Sequence, residues 1–346
     1  MTLLCTYDFP PQHGGVARYH RAVVDALSPE CDVMVADRHI HWLRLLPMLR
    51  RRARQGVHHV LTSEALPIGT VALLHRYWTG IPYVIACHGL DLGIAQQHTR
   101  KRLLLRFVLR GAALVLANSA FTATRAVQAG ANPECIRIVH PPVGITPNAL
   151  RGRAMRDEHH LQGRFLVCSV GRLVPRKGFD VLIRAIALLQ RDFALPSPPT
   201  LVIVGDGPER AALEICAQRE GVEVRWIPDA TDDVVAAWYA ACDVFALLPR
   251  ALANGDAEGF GIVYLEAGAF GKPVIGTRSG GVPDAIADGV SGIMVAPDDP
   301  HAAAHALRIL ATDPVYAAAL GEAGRTRVEK CSTFGHFRTH IREIIS

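Results

Sequence analysis

Two glutamates flank a glycine-rich stretch with the composition of a ligand-binding loop. The stretch runs Glu258-Gly259-Phe260-Gly261-Ile262-Val263-Tyr264-Leu265-Glu266. Its glycines permit close approach to the backbone, and the residues after Gly261 predict a helix whose first amides face an anion. Carboxylates pair with sugar hydroxyls, so the stretch is suited to an extended ligand such as a sugar nucleotide. The alternative is a loop capped by Glu258, with Glu266 exposed to solvent on the helix.

A second candidate lies after a predicted strand, in Val170-Gly171-Arg172-Leu173-Val174-Pro175-Arg176-Lys177-Gly178. Ligands of open α/β sheets bind at the carboxyl ends of strands. Arg172 and Lys177 are suited there to neutralise a diphosphate, since a guanidinium can donate two parallel hydrogen bonds and an ammonium acts as a point charge. A solvated basic loop is the alternative. Gly205 follows the next strand in a tight turn at the same edge.

The first half of the chain carries candidates of its own. Gly14 and Gly15 precede a predicted helix, which suits an anion or a sugar pressed against the backbone. His88 and Asp91 follow a predicted strand, where a structural histidine is the alternative for His88. Asn118 and Ser119 end the next strand, where they line a ligand pocket or Ser119 caps a helix.

The elements that must position these residues form two series of alternating strand and helix patterns. Such alternation predicts parallel sheets covered by helices on both faces. The predicted strands are 2–7, 32–36, 59–62, 83–87, 114–118 and 136–139, followed by 165–170, 200–204, 222–226, 244–247, 274–276 and 292–295. At 346 residues the chain exceeds the usual size of one core. A proline-rich passage at 140–148 then predicts two domains, 1–147 and 148–332, with a terminal helix at 333–346 that packs back on the first.

Composition narrows the functional classes further. The net charge of +5 is concentrated in residues 1–147, because the remainder is slightly acidic. The basic segment 41–54 suits an anionic membrane surface or, alternatively, solvated helix faces; its arginines are Arg44, Arg50, Arg51, Arg52 and Arg54. The longest apolar stretch contains arginines, so no transmembrane helix is expected. We therefore expect a cytoplasmic protein that can attach peripherally to the inner face of the membrane.

Four ordered motifs carry a family resemblance. They are Gly-Arg-Leu-x-Pro-x-Lys-Gly from Gly171, Val-Gly-Asp-Gly-Pro-Glu-Arg from Val204, Glu-Gly-Phe-Gly-Ile-Val-Tyr-Leu-Glu-Ala from Glu258, and Gly-Lys-Pro-Val-Ile-Gly-Thr-x-Ser-Gly-Gly-Val-Pro-Asp from Gly271. Together they resemble the retaining glycosyltransferases of family 4. The resemblance runs from Gly14 to the last helix and implies the GT-B fold, in which two Rossmann-like domains have parallel sheets facing a cleft.

The resemblance also implies roles for individual residues. Arg172 and Lys177 would contact the diphosphate of a nucleotide-sugar donor, and Glu266 its ribose. Glu258 would contact the transferred sugar, and the amides from Gly259 to Val263 would hold sugar and phosphate. The remaining implied donor contacts are Gly14, Gly15, Gly171, Gly205, Phe260, Gly261 and Ile262. His88 would lie at the reaction centre, and the acceptor side would comprise His88, Asp91, Asn118 and Ser119.

The expected function is transfer of a hexose from a nucleotide-sugar to an acceptor hydroxyl, with His88, Arg172, Lys177 and Glu258 as the catalytic residues. The chain resembles GDP-mannose-dependent enzymes slightly more than UDP-sugar-dependent ones. Glycolipid or cell-surface polysaccharide biosynthesis is the expected setting, with a sugar or lipid-linked saccharide as acceptor and no nucleic-acid partner. No Asp-x-Asp occurs, so no metal or other cofactor is expected. A phosphorylase-like or sugar-phosphate-synthesising enzyme and a non-catalytic sugar-nucleotide binding module are the alternatives.

Overall fold

The fold is seen in a computed structural model of the chain, which describes residues 1–10, 14–39, 41–147, 149–192, 195 and 197–345. Pro11, Gln12 and His13 of the predicted glycine loop lie outside the described residues, as does Asn148 at the predicted domain boundary. Within the described part, no helix is both long and apolar enough to cross a membrane.

The first sheet is fully parallel, with strand order β2-β1-β3-β4-β5-β6. Its strands are β1 Thr2–Thr6, β2 Cys31–Val35, β3 His59–Thr62, β4 Tyr83–Cys87, β5 Leu114–Ala117 and β6 Ile136–Ile138. The helices that accompany it are α1 Gly15–Leu27, α2 Leu45–Ala53, α3 Ile68–Thr79, α4 Leu90–Gln96, α5 Thr99–Gly111, α6 Ala120–Ala129 and the terminal α15 Phe334–Ile345.

The second sheet is also parallel, with strand order β12-β11-β10-β7-β8-β9. Its strands are β7 Phe165–Val170, β8 Pro199–Val204, β9 Val224–Ile227, β10 Val244–Ala246, β11 Val274–Thr277 and β12 Ile293–Val295. Its helices are α7 Ala149–Glu158, α8 Phe179–Asp192, α9 Arg210–Glu220, α10 Asp232–Ala241, α11 Ile262–Ala269, α12 Val282–Ala285, α13 Pro300–Thr312 and α14 Pro314–Cys331. The predicted α/β architecture is confirmed.

Successive residues of the central strands are buried on opposite faces of the sheet. In β1, Leu3 joins a core cluster that includes Val71 of α3, whereas Leu4 joins a cluster that includes Val23 of α1 and Ile341 of α15. Alternating side chains of a strand point to opposite faces, so helices are needed on both. This double burial explains why the strands are continuous apolar runs in the sequence.

The chain forms two compact units. The first unit comprises Met1–Pro142, Ala253–Phe260 and Thr333–Ser346, and the second comprises Val143–Leu252 and Gly261–Ser332. The terminal helix α15 packs against α1 within the first unit. A domain boundary at 147/148 predicts that Ala253–Phe260 belongs to the second domain, whereas this segment lies in the first unit, beside the candidate site.

Candidate active site

Polar side chains follow five neighbouring strands of the first sheet, at their carboxyl ends. They are Asp8 after β1, Arg38 after β2, Glu64 after β3, His88 and Asp91 after β4, and Asn118 and Ser119 after β5. Parallel strands place their carboxyl ends at one edge of the sheet, where ligands of such folds bind. The structure thus brings all four predicted acceptor-side residues to one edge.

His88 is held from two directions within the first unit. Its backbone N donates to Asp91 Oδ1 over 3.2 Å, and its Nε2 lies 3.2 Å from Nε2 of His20 on α1. Burial and the neighbouring His20 lower the pKa of His88 well below its usual range, so the ring is neutral at pH 7. Burial raises the pKa of the Asp91 carboxyl, whereas the hydrogen bonds that it accepts from backbone N–H groups lower this pKa.

Ser119 has the helix-capping role that was one of its two interpretations. It is fully buried, and its Oγ accepts a hydrogen bond from Thr122 N at the start of α6 over 3.0 Å. The same hydroxyl donates to the carbonyl oxygen of Gly259 over 2.6 Å. These two bonds already engage the hydroxyl. The contact of Ser119 with an acceptor stays a prediction.

The segment Ala253–Phe260 lies across the carboxyl ends of β4 and β5. Arg125 on α6 donates from Nη1 to the carbonyl oxygen of Gly255 over 2.7 Å, and His140 stacks on Phe260 with ring centroids 5.1 Å apart. Gly259 fits this place because a Cβ there would lie 2.2 Å from the carbonyl oxygen of His88. The structure therefore brings Glu258, Gly259 and Phe260, which were predicted donor contacts, beside predicted acceptor residues.

Glu64 is a further candidate residue at this edge, and no motif in the sequence had indicated it. Burial raises the pKa of its carboxyl to about 7, and Asp91 and Asp8 add to this effect while Arg38 opposes it. A carboxylate directly after a strand was the available signal, since His88 was identified by the same rule. Glu64 therefore changes its protonation near neutral pH, within a row of strand-end carboxylates.

We expect Glu64→Gln to stabilise the protein at pH 8 and to leave it nearly unchanged at pH 4. Between about pH 4.5 and pH 7 the carboxyl of Glu64 ionises more readily in the unfolded state than in the folded state. The folded state therefore loses stability as pH rises through this range. One pKa unit equals about 1.4 kcal/mol, which solvent screening reduces for this half-buried group, so we expect a gain on the order of 1–2 kcal/mol.

Urea unfolding at both pH values measures this gain. Glu343→Gln, the same substitution at an exposed position of α15, is the matched control. An equal effect of Glu64→Gln at pH 4 and pH 8 would show that the carboxyl does not titrate in this range.

A pocket of about 340 Å³ adjoins the carboxyl ends of β1 to β3 in the first unit. It is lined by Tyr7, Arg38, His39, His41, Trp42 and Pro67. Arg38 is fixed in place, because Nη2 lies 2.7 Å from Asp8 Oδ2 and its guanidinium lies 5.0 Å from the Tyr7 ring centroid. An arginine, two histidines and an aromatic surface suit an anionic group attached to a polyol ring. His41 and Trp42 belong to the segment predicted to face a membrane, and none of the six lining residues was predicted as a substrate contact.

The second unit has its own row of candidates at the carboxyl ends of β7 and β8. Gly171 and Gly205 both have positive φ, and a Cβ on Gly205 would lie 2.3 Å from the carbonyl oxygen of Gly171. This close approach requires glycine. Arg172 is exposed and Lys177 is buried, with its Nζ next to Gly171. An exposed guanidinium and a buried ammonium therefore lie at one edge of the sheet, and both could neutralise a diphosphate.

Glu266 is buried on α11, which contradicts the alternative of a solvent-exposed side chain. Only 2% of its surface is exposed, and Oε2 accepts a hydrogen bond from the Tyr239 hydroxyl of α10 over 2.9 Å. Helix α11 begins at Ile262, as predicted, and Gly261 precedes it with a φ of 89°. The first turn thus carries the predicted residues Ile262 and Val263 with backbone amides open to an anion, while Glu266 lies one turn further on.

Two remaining predicted contacts, Gly14 and Gly15, lie at the start of α1. Gly14 precedes the helix with a φ of 139°, which favours glycine, and a Cβ at either position would meet no atom of the described residues within 4 Å. Among the described residues, no group of three or more His, Cys, Asp or Glu side chains could hold a metal ion.

Both halves of the chain match known glycosyl transferase families. Residues 152–327 match the model of glycosyl transferases group 1, and residues 1–142 match a glycosyl transferase 4-like domain. A GDP-mannose-dependent alpha-(1-6)-phosphatidylinositol monomannoside mannosyltransferase of Mycolicibacterium smegmatis is 34% identical over 93% of this chain and 92% of its own length. A D-inositol 3-phosphate glycosyltransferase of Pseudarthrobacter chlorophenolicus is 32% identical over 82% of this chain and 70% of its own length.

Solved structures show the same fold. The crystal structure of HepE from Anabaena in complex with UDP superimposes with a TM-score of 0.84, at 20% identity, and the match covers 99% of each chain.

Proposed function

Because this chain belongs to the glycosyl transferases of group 1, in family 4 with the GT-B fold, and is a glycosyltransferase, we propose that it transfers mannose from GDP-mannose to a hydroxyl of a phosphoinositol-containing glycolipid, with retention of the anomeric configuration. The relatives support both halves of this proposal. One is named for GDP-mannose and phosphatidylinositol monomannoside, and the other for inositol 3-phosphate, so a phosphorylated inositol is common to their names.

The buried Glu266 carries the donor half of the proposal. Tyr239 holds this carboxylate by a hydrogen bond. We expect the carboxylate to accept hydrogen bonds from the two ribose hydroxyls of a nucleotide, because such charge-assisted bonds are strong. Arg172 and Lys177 would neutralise the diphosphate, together with the first amides of α11. This charge complement supports transfer without a bound metal ion, so the rate should withstand EDTA.

The pocket around Arg38 supports the acceptor half. An acceptor with a phosphate and a cyclitol ring combines an anion, which Arg38 suits, with ring hydroxyls and C–H groups, which His39, His41 and Trp42 suit. In the reaction the bond between the anomeric carbon and the diphosphate breaks, and the acceptor oxygen bonds to that carbon. The acceptor proton passes to the departing diphosphate on the same face, so GDP leaves protonated and the configuration is retained.

Product analysis tests the proposal directly. The protein is incubated with GDP-mannose, UDP-glucose or UDP-N-acetylglucosamine, and with either vesicles that contain phosphatidylinositol monomannoside or soluble inositol 3-phosphate. Mass spectrometry identifies the product, and NMR determines its anomeric configuration. An α-mannoside from GDP-mannose is expected, and the two acceptors separate a lipid-linked from a free phosphoinositol. Transfer from UDP-sugars alone or a β-linked product would contradict the proposal, and hexose 1-phosphate formed with added phosphate would favour the phosphorylase-like alternative.

We also propose that α2 attaches the protein peripherally to anionic membranes. Arg50, Arg51 and Arg54 are exposed, and the Arg50 guanidinium lies 4.1 Å from the ring centroid of Trp78, itself 55% exposed. Basic residues beside exposed aromatic ones suit a lipid interface. Arg52 differs, because Nη1 lies 2.5 Å from Asp32 Oδ2, so it contributes less than its neighbours.

Neutralising Arg50, Arg51 and Arg54 to Gln together should abolish sedimentation with anionic vesicles at low salt. Each basic residue near such a surface contributes about 1 kcal/mol, so the triple variant should bind about a hundredfold more weakly. The matched control replaces Arg153, Arg219 and Arg338, which are exposed elsewhere, and thereby removes the same charge. Equal losses in both variants would show that net charge rather than α2 is responsible.

A further inference from the structure

A second histidine lies behind His88, and the proposed reaction does not use it. His20 is on α1, fully buried, with Nδ1 2.9 Å from the carbonyl oxygen of Asp8 and 3.1 Å from Thr6 Oγ1. Its other nitrogen, Nε2, lies 3.2 Å from Nε2 of His88. His20 thus connects the end of β1 to the histidine at the end of β4.

The surroundings of His20 determine where its proton lies. A backbone carbonyl only accepts hydrogen bonds, so the contact with Asp8 O requires a proton on Nδ1. Thr6 Oγ1 already donates to the same carbonyl over 3.0 Å, which leaves its lone pairs to accept. Burial lowers the pKa of His20, against the effect of the Asp8 carbonyl, so the ring is neutral and has a single N–H. Its Nε2 is therefore a bare acceptor.

The proton position of His88 follows from that of His20. Two bare Nε2 atoms at 3.2 Å would repel, whereas a proton on Nε2 of His88 makes the contact a hydrogen bond. We propose that His20 is a positioning residue that holds His88 with its proton on Nε2, so that Nδ1 of His88 accepts a hydrogen bond from a substrate hydroxyl. That His88 contacts substrate rests on the proposed function, but the proton position does not.

The rings around this pair keep its orientation fixed. Tyr19 is buried and meets His88 edge-to-face, with ring centroids 5.1 Å apart and an interplanar angle of 81°. Phe337 of α15 packs on the other side of Tyr19, with centroids 5.6 Å apart. The His88 ring is therefore held in one plane while its Nε2 is engaged by His20. Substrate hydroxyls are donors as well as acceptors, so a fixed acceptor nitrogen selects one orientation of the hydroxyl.

Nitrogen-15 NMR of histidine-labelled protein tests the proton position without any substrate. Bare and protonated ring nitrogens have well separated shifts, and His88→Asn identifies the His88 signals by their loss. We expect wild-type His88 to show a protonated Nε2 and a bare Nδ1 at pH 7, and His20→Phe to change this pattern. A proton on Nδ1 of His88 in the wild type would overturn the proposal, whatever the reaction is.

Kinetics then separate a role through His88 from a merely structural one. His20→Phe and His20→Gln both lose the contact with Asp8, so both should lower stability to a similar degree. Only Gln offers an oxygen that accepts from Nε2 of His88. We therefore expect His20→Phe to lower kcat/KM about tenfold, the equivalent of one hydrogen bond, and His20→Gln to recover most of it.

A double-mutant cycle completes the test. In a His88→Ala background, His20→Phe should cause no further loss of kcat/KM, because the group that it positions is gone. An undiminished loss in that background would overturn the proposal, as would a His20→Phe enzyme with full activity. Absence of mannosyl transfer by the wild type would instead count against the proposed function, and the NMR result would stand by itself.

Discussion

Glu266→Ala should weaken GDP binding by at least about a hundredfold. The carboxylate of Glu266 is held by Tyr239, and we expect it to accept one hydrogen bond from each ribose hydroxyl. Hydrogen bonds to a charged group contribute about 1.5–3 kcal/mol each, so loss of both is equivalent to about 3–6 kcal/mol. The same loss should appear in kcat/KM for glycosyl transfer, since the donor binds through its nucleotide.

The ribose role can be separated from a nucleobase role by the choice of ligand. Titration calorimetry with GDP and with UDP should show the same fold-loss in Glu266→Ala, because both nucleotides have the same ribose. With 2′,3′-dideoxy-GDP the wild type should bind weakly and the variant equally weakly. A variant that still distinguishes GDP from the dideoxy analogue would show that Glu266 does not contact the ribose.

Tyr239→Phe is the matched control for this prediction. It removes the hydrogen bond that positions the carboxylate but leaves the carboxylate itself in place. We expect about a tenfold loss of GDP affinity, equivalent to one hydrogen bond, and a moderate loss of stability. Near-equal effects of Glu266→Ala and Tyr239→Phe would indicate that both act through the packing of α10 and α11 rather than through the ligand.

The strands could be predicted because their apolar signal is local. All twelve predicted strands are present within one or two residues of their expected bounds, since parallel strands buried on both faces are continuous apolar runs. The start of α11 and the cap of α6 were also predicted, because Gly261 and Ser119 act on residues three or fewer positions away. Pro47 also acts locally: α2 begins at Leu45, so the proline lies in the first turn, where its missing N–H costs nothing.

The side-chain environments could not be predicted, because they depend on residues far apart in the sequence. The bond from Ser119 to Gly259 spans 140 positions, and the contact between His20 and His88 spans 68. No periodicity connects such partners. The burial of Glu266 likewise depends on Tyr239, and the raised pKa of Glu64 depends on the depth of a strand end. Motifs therefore identified the candidate residues, whereas their protonation and partners required the structure.

Gly259→Ala should lower glycosyl transfer by about a hundredfold while the protein stays folded. A Cβ at this position would lie 2.2 Å from the carbonyl oxygen of His88 and 3.1 Å from Nδ2 of Asn118. The first contact involves backbone, which no side-chain rotation relieves, so the segment Ala253–Phe260 must move away from the end of β4 by about 1 Å. Displacements of that size in a reacting group cost about a hundredfold in rate.

The stability cost should be smaller than the activity cost. Overpacking of this kind costs about 1–3 kcal/mol, part of which is the hydrogen bond from Ser119 Oγ to Gly259 O. Ser119→Ala should therefore destabilise the wild type but add little to Gly259→Ala, because the displaced carbonyl has already lost its donor.

Gly335→Ala, in the first turn of α15 with room for a Cβ, controls for the substitution itself and should leave activity and stability unchanged. Full activity of Gly259→Ala would mean that the segment tolerates displacement, and Glu258 and Gly259 would then be poor candidates for contacts with the transferred sugar.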